Sequence, residues 1–289
     1  MDIVSGLQRA IDYIEAHLGE ADLPRRAAAQ AHLSPLYFSR LFAHLCGLTP
    51  AEYIRLRRLS CAGADLAAGA RVLDTALRYG YESPESFARA FSRFAGFPPS
   101  EAKKPGAALT SFSRLVVRIS LQGGTTMHYT ITHKNAFFVL QKAERHTTRD
   151  AHNRQSIPAF WTRAAADGTL GHLQAVSGGT LFGICWGDED ADGGFPYAIG
   201  AACPADAPVP DGFARREIPA GEWAVFPCRG AAPDAIQALW GRILSEFFPT
   251  VAYRPTGALD IEVYPAGDMT APDYAAEIWV PVERIPDAG

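Results

Sequence analysis

Two rhythms of apolar and polar residues divide the chain. Up to about residue 104, apolar side chains return every three or four positions, the spacing that lays one stripe along a helix. From Met127 onward they alternate or run in short β-branched stretches, the spacing of strands. In the first region Ile3, Leu7, Ala10, Ile11, Ile14 and Leu18 share one face and predict a helix packed on its C-terminal neighbours. Leu23 to Ala31 predicts a second helix, and Ser34 to Cys46 a third, with Ser34 as N-cap and Phe38, Leu41, Phe42 and Leu45 inward. Thr49-Pro50 then opens a long helix through about Ala68, rich in the good helix formers Ala, Leu and Arg. Ala76 and Leu77 lie on a short apolar helix, Gly80 supplies a turn, and Ser83-Pro84 opens another helix. There Phe87, Ala90, Phe91 and Phe94 face inward, while Glu85, Ser86, Arg89 and Arg93 occupy other faces. Pro98 to Lys104 reads as a short last helix.

The chain matches itself at an offset of 49 residues: Ala27 with Ala76, Ser34 with Ser83, Pro35 with Pro84, Phe38 with Phe87, Arg40 with Arg89, Phe42 with Phe91, Gly47 with Gly96 and Pro50 with Pro99. Cap, apolar stripe, one arginine and closing glycine recur together, so one helix-turn-helix unit is present twice. The connecting helix forms about 27 Å of rod at 1.5 Å per residue. That length can hold two readers near one DNA turn apart, about 34 Å. Here the sequence resembles the AraC/XylS family of transcriptional regulators, over roughly residues 5 to 104. The resemblance implies that Leu36, Ser39 and Arg40 of the first reading helix, and Pro84, Glu85 and Arg89 of the second, face the major groove, with Ser34 and Ser83 at the helix starts. Arginine donates two hydrogen bonds to guanine or pairs with phosphate, which puts Arg40 and Arg89 first. Leu36 and Pro84 depart from the expected polar chemistry. Arg55, Arg57 and Arg58 on the long helix are read equally as a solvated face or as phosphate contacts.

In the second region the strand-like runs include YTITH, NAFFVLQKAE, GTLFGICWGD, YAIGAAC, LDIEVYP and AEIWVPVER, with helical segments at Ser156 to Ala166 and Ala232 to Phe248. Strands before, between and after two helices predict an α+β domain of two β-α-β-β halves. In LDIEVY, alternation puts Leu259, Ile261 and Val263 on one face and Asp260, Glu262 and Tyr264 on the other. IPAGEWAVF at 218 to 226, L-W-x-x-I-L at 239 to 244, DIEVY at 260 to 264 and EIWVPV at 277 to 282 resemble the GyrI-like small-molecule-binding domain. The order of the two regions resembles Rob-type members of the AraC/XylS family. By that resemblance Glu262 is the ligand-binding acid. Trp186, Tyr197 and Trp279 are candidate aromatic walls, since a carboxylate among aromatic rings attracts a cation. Each also reads as core packing.

The expected fold class is thus two domains, an all-α tandem helix-turn-helix domain followed by an α+β GyrI-like domain. The expected boundaries are 1–107 for the DNA reader, 108–126 for a linker with a candidate strand at Leu115 to Leu121, and 127–289 for the small-molecule domain. The net charge of −4 argues against nucleic-acid binding until the chain is divided. The first 107 residues hold 13 Lys plus Arg against 11 Asp plus Glu, and the rest 14 against 20. The halves are therefore +2 and −6, the sign expected of a DNA reader joined to an acidic sensor.

Five scattered cysteines without metal-like spacing point to buried free thiols, with no metal and no cofactor expected. The acidic amphipathic start is not a secretion signal, and no apolar run reaches membrane-spanning length, so a cytoplasmic protein is expected. The expected partners are double-stranded DNA, read in two successive turns of the major groove, an amphipathic cationic effector, and RNA polymerase. No catalytic residue is assigned, because no nucleophile elbow, phosphate loop or histidine cluster occurs. Two other classes stay open for the second half: a hydrolase using a buried glutamate with a tyrosine such as Tyr197, and a protein-interaction module.

Overall fold

The computed structural model describes residues 3–104, 106–117, 126–148, 152–187 and 194–285. Its first region is helical: α1 (Ile3–Ala16), α2 (Leu23–Gln30), α3 (Pro35–Cys46), α4 (Pro50–Ala67), α5 (Val72–Arg78) and α6 (Pro84–Ala95). The duplicated residues terminate the duplicated helices. Ser34 Oγ accepts from the Tyr37 amide and Ser83 Oγ from the Ser86 amide, at 3.3 and 3.1 Å. Gly47 and Gly96 close α3 and α6 at φ 74° and 85°, backbone that a Cβ would strain. Thr49 and Glu52 form a reciprocal capping box at the start of α4. Phe38, Phe42, Phe87 and Phe91 are buried in one core with Tyr53, Leu59 and Ala62 of α4, so the two units share a single hydrophobic interior.

Several details differ from the sequence expectation. Leu45 of α3, expected inward, is exposed, and of the five free cysteines only Cys185 and Cys228 are fully buried. The last helix shrinks to a 3₁₀ turn, Glu101–Lys103. Residues 115–117 of the anticipated linker strand join no sheet, and the rest of that strand lies outside the described residues. The segment instead runs along α4: the Phe112 amide donates to Ser60 Oγ at 3.0 Å, the Leu115 amide to the Tyr53 hydroxyl at 3.2 Å, and the Arg57 guanidinium to the Phe112 carbonyl. Arg57 also grips Glu15 of α1 with two bonds of 2.9 and 2.8 Å, which fixes its side chain within the fold.

The second region contains β1 (Thr130–Lys134), β2 (Phe137–Thr147), α7 (Asn153–Ala166), α8 (Thr169–Ser177), β3 (Leu181–Trp186), β4 (Gly194–Cys203), β5 (Ala214–Ile218), β6 (Gly221–Arg229), α9 (Asp234–Arg242), β7 (Tyr253–Pro255), β8 (Leu259–Tyr264) and β9 (Ala275–Arg284). The last turn of α9 continues as a π-helical segment, Ile243–Phe247. All strand pairs are antiparallel in one sheet of order β1-β6-β9-β8-β3-β4-β2-β5, with β7 on β9. The sheet is built around two trios of the same strand order, β2-β4-β3 and β6-β9-β8, joined where β3 pairs β8, with β5, β1 and β7 added outside them. Each trio carries its own helices, which is the expected pair of β-α-β-β halves.

Only two residues separate β1 from β2 and β5 from β6, although each pair of neighbours in sequence lies at opposite ends of the strand order. The sheet must therefore curl until its ends approach. One face, with Ile184, Trp186, Trp223, Leu259 and Ile261, forms a self-contained core. The other face, with Leu181, Cys185, Tyr197 and Ile278, packs against α7, α8 and α9.

Candidate functional site

The site is built on β8 and β3, where the two halves meet. Alternation along β8 sends Ile261 and Val263 to the inner core and Asp260, Glu262 and Tyr264 to the helix-covered face, yet all six residues of the strand are buried. Glu262 therefore brings a carboxylate into the interior, and the fold supplies neutral donors for it. The Trp240 indole N–H of α9 donates to Oε1 at 2.9 Å, and the Tyr264 hydroxyl to Oε2 at 2.9 Å. The Tyr197 hydroxyl lies 3.5 Å from Oε2 and itself accepts from the Trp161 indole N–H of α7 at 3.0 Å. Gly183 of β3 pairs across from Glu262, and a Cβ there would collide with the Tyr197 hydroxyl and stand 3.1 Å from Glu262 Oε2. The glycine is thus what lets the phenol reach the acid. Burial pushes the Glu262 carboxyl above the ordinary carboxylate range, with Asp260 adding to the rise and Arg40 and the Trp240 bond opposing it.

Arg40 comes from the other domain. It extends from α3 into the cleft between the two halves, where its guanidinium donates to Asp260 Oδ2 at 2.6 Å and lies 4.7 Å from the ring centre of Trp240. Burial acts to lower the Arg40 pKa, but Asp260 prevails and raises it, so the guanidinium stays charged. Burial also pushes Asp260 upward, against the attraction of Arg40. We take the pair as ionised, since a bond of 2.6 Å between these partners is charge-assisted. Around it Leu36, Tyr37 and Leu41 of α3 join the hydrophobic core of the second domain, and Tyr37 meets Phe248 edge-on at 5.5 Å.

The expected DNA-facing residues therefore occupy two different environments. On α3, Leu36 and Ser39 are buried, and Arg40 is engaged with Asp260; Ser34 caps the helix and packs beside Gly257. On α6, Glu85, Arg89 and Arg93 reach solvent, Pro84 is half-buried, and Ser83 caps the helix. Of the linking-helix arginines, Arg57 binds Glu15, and Arg58 donates to the Leu18 and Glu20 carbonyls at 2.6 and 2.7 Å.

Of the expected aromatic walls, Tyr197 reaches Glu262, but Trp186 and Trp279 do not. Both lie on the inner-core face of the curled sheet, because the strand period that turns Cys185 toward the helices turns Trp186 away. Each already holds a cation of the same chain over its ring at 3.5 Å, Arg216 on Trp186 and Lys134 on Trp279. The indoles that meet the acid or its tyrosines are instead Trp240, bonded to Glu262, and Trp161, bonded to Tyr197, both on helices. Strand periodicity could not point to them; for Trp240 the available signal was the L-W-x-x-I-L motif at 239 to 244, and for Trp161 there was none. Among the described residues no group of three His, Cys, Asp or Glu is placed to hold a metal, and no helix is long and apolar enough to cross a membrane.

Comparison with known proteins gives two family matches. Residues 130–282 match the Cass2 model, described as integron-associated effector binding protein, and residues 27–104 match a helix-turn-helix domain model. An uncharacterised helix-turn-helix transcriptional regulator of Bacillus subtilis, YbfP, is 38% identical over 94 residues, covering 32% of each chain. The right origin-binding protein of Escherichia coli K12 is 34% identical over 107 residues, 36% of this chain and 37% of that one. The chain thus spans about a third of the length of these relatives. Among solved structures, SAV2435 bound to tetraphenylphosphonium is 24% identical with a TM-score of 0.49, covering 54% of this chain and 94% of that one.

Proposed function

Since the chain belongs to the family of integron-associated effector binding proteins and carries an AraC-type helix-turn-helix domain ahead of that region, we propose that it is a DNA-binding transcriptional regulator whose second domain senses an amphipathic cation. The observation that carries this reading is the buried Glu262 carboxylate. Its hydrogen-bond donors, Trp240 and Tyr264, are neutral and come from aromatic side chains. Such an acid is solvated well enough to persist in the interior, and the cation nearest it, Arg40, is bonded to Asp260 rather than to it. A cation entering between the rings would meet both that charge and the ring quadrupoles, with apolar walls supplying most of the affinity.

DNA reading falls to α3 and α6, through Arg40 and Arg89 above all, and RNA polymerase is the partner such a regulator would act upon. All five tryptophans lie between residues 161 and 279, so tryptophan fluorescence of the whole chain reports on the second domain and on what contacts it. The test is a titration with benzyltributylammonium and with a neutral benzyl ether of similar size. Glu262→Gln, which keeps the shape and removes the charge, is expected to weaken the cation by about tenfold, near 1.4 kcal/mol, and to leave the ether unchanged. Equal affinities for the two compounds in parent and variant would remove Glu262 from the site and leave the second half as a protein-interaction domain.

A further inference from the structure

We infer that Arg40 is the resident cation of the effector site: α3 docks on the second domain in place of an effector, and a cationic effector displaces it and frees it to read DNA. This rests on reading the Glu262 cleft as a cation site, and it adds the means by which occupancy reaches the DNA.

The first support is the contact itself. Arg40 presents a delocalised cation to a carboxylate and to the face of Trp240, the same indole whose N–H binds Glu262. Those are the interactions an amphipathic cation would seek there. The crevice left beside it is lined by Ser34, Tyr37 and Arg40 from the reader and by Trp240, Gly257 and Asp260 from the sensor. In this docked arrangement α3 covers the Asp260 and Trp240 end of the cleft.

The second support lies in how the two copies of the repeat have diverged. At the 49-residue offset, Leu36, Tyr37 and Leu41 of α3 correspond to Glu85, Ser86 and Ala90 of α6. The shared positions hold the helix-turn-helix fold; these three do not serve it, since in α3 they belong to the core of the second domain instead. The α3 copy has the apolar surface of a docking helix, whereas α6 keeps a polar face in solvent. The second domain is relieved of side chains to receive it. A Cβ on Gly257 would collide with Ser34, and one on Gly241 of α9 would stand 2.7 Å from His44 Cε1. The fit is releasable as well as close: the Tyr37 hydroxyl is buried without a hydrogen-bond partner among the described residues, so the docked state leaves a polar group unsatisfied.

The geometry then links the two ligands. With α3 covered, Leu36, Ser39 and Arg40 cannot enter a major groove, and the chain holds DNA through α6 alone. A cation that occupies the cleft only when α3 has left, and DNA that binds α3 only when it is free, select the same open state, so each raises the affinity of the other by the same factor.

The test uses the full chain and a duplex selected from a random pool by the Asp260→Asn variant. That variant removes the charge that holds Arg40 while leaving the DNA-reading side chains in place. Gly241→Leu wedges the interface from α9 and serves as the second variant should the first fold poorly. Benzyltributylammonium is expected to tighten binding of the parent to this duplex by about fivefold or more. Both variants are expected to bind the duplex that tightly without the cation and to gain little when it is added. Tryptophan quenching is followed in parallel. Absence of quenching would sink the proposed cation site, and the variants alone would then decide whether α3 is held closed. If quenching occurs but parent and variants bind DNA equally and without response to the cation, or if the cation weakens binding, the inference is wrong while the cation site stands.

Discussion

At the residue scale, the chemistry of the sensor depends on a pairing of one glycine with one acid. Gly183 has no side chain at the point where Tyr197 must pass to Glu262, so Gly183→Ala should force the phenol and carboxylate apart. A crowded core site of this kind costs about 1–3 kcal/mol, to be read as a lower midpoint in urea unfolding, with loss of cation quenching in the folded protein. Parental stability and quenching would show that the neighbours have room to yield. Glu262 also sets a pH dependence. Its folded-state pKa lies above the ordinary carboxylate value, so between that value and the raised one the empty site holds a proton that the unfolded chain would release. Its contribution to stability is therefore present at low pH and lost as pH rises through this window. Cation binding has the opposite slope: it strengthens as pH rises and expels a proton where the acid is still protonated. Calorimetric titration in two buffers of different ionisation enthalpy should give heats that differ by the released proton. Identical heats throughout that window would mean the acid is already ionised when empty.

At the scale of elements, α3 and α6 are two outcomes of one pattern. The helix starts, the phenylalanine stripe and the closing glycines were all legible, because caps and helical periods are local and the repeat displays them twice. What became of the two outer faces was not legible. Whether a polar or apolar face meets solvent, DNA or another domain depends on residues far away in sequence, as with Arg40 and Asp260, which are 220 positions apart. A trace was present nonetheless: Leu36 and Tyr37 are apolar where α6 carries Glu85 and Ser86. The same limit applied to the sensor. Alternation in β8 separated Glu262 from Ile261 correctly, but it could not tell which helix would bring Trp240 over the acid. For DNA, the solvent-facing Arg89 is the clearest element-level test. Arg89→Ala should weaken specific binding by about 1–3 kcal/mol if it contacts a base, read by mobility shift on the selected duplex against a scrambled one. An equal loss on both duplexes would reassign Arg89 to phosphate, and no loss on either would turn α6 away from the groove.

At the scale of the molecule, two internally duplicated domains are set against each other, and both duplications meet at one place, since α3 is half of the first and the cleft is the seam of the second. If Arg40 fills that seam, removing it should make the sensor a better receptor. Arg40→Ala is expected to raise the affinity for benzyltributylammonium by about the factor that the closed state had suppressed it. Unchanged affinity in the quenching titration would mean that α3 does not compete. The strength of that competition traces to the segment pinned along α4 by Ser60, Tyr53 and Arg57. Because Phe112 and Leu115 are fastened to the reader and β1 begins at Thr130, α3 is tied to its cleft by a short span of sequence and would compete as a tethered group rather than as a free solute. Lengthening that span would dilute α3 and lower the dose at which an effector acts. The spacing between the domains thus works as a threshold setting, one that evolution or an engineer could move without altering a single residue that touches DNA or ligand.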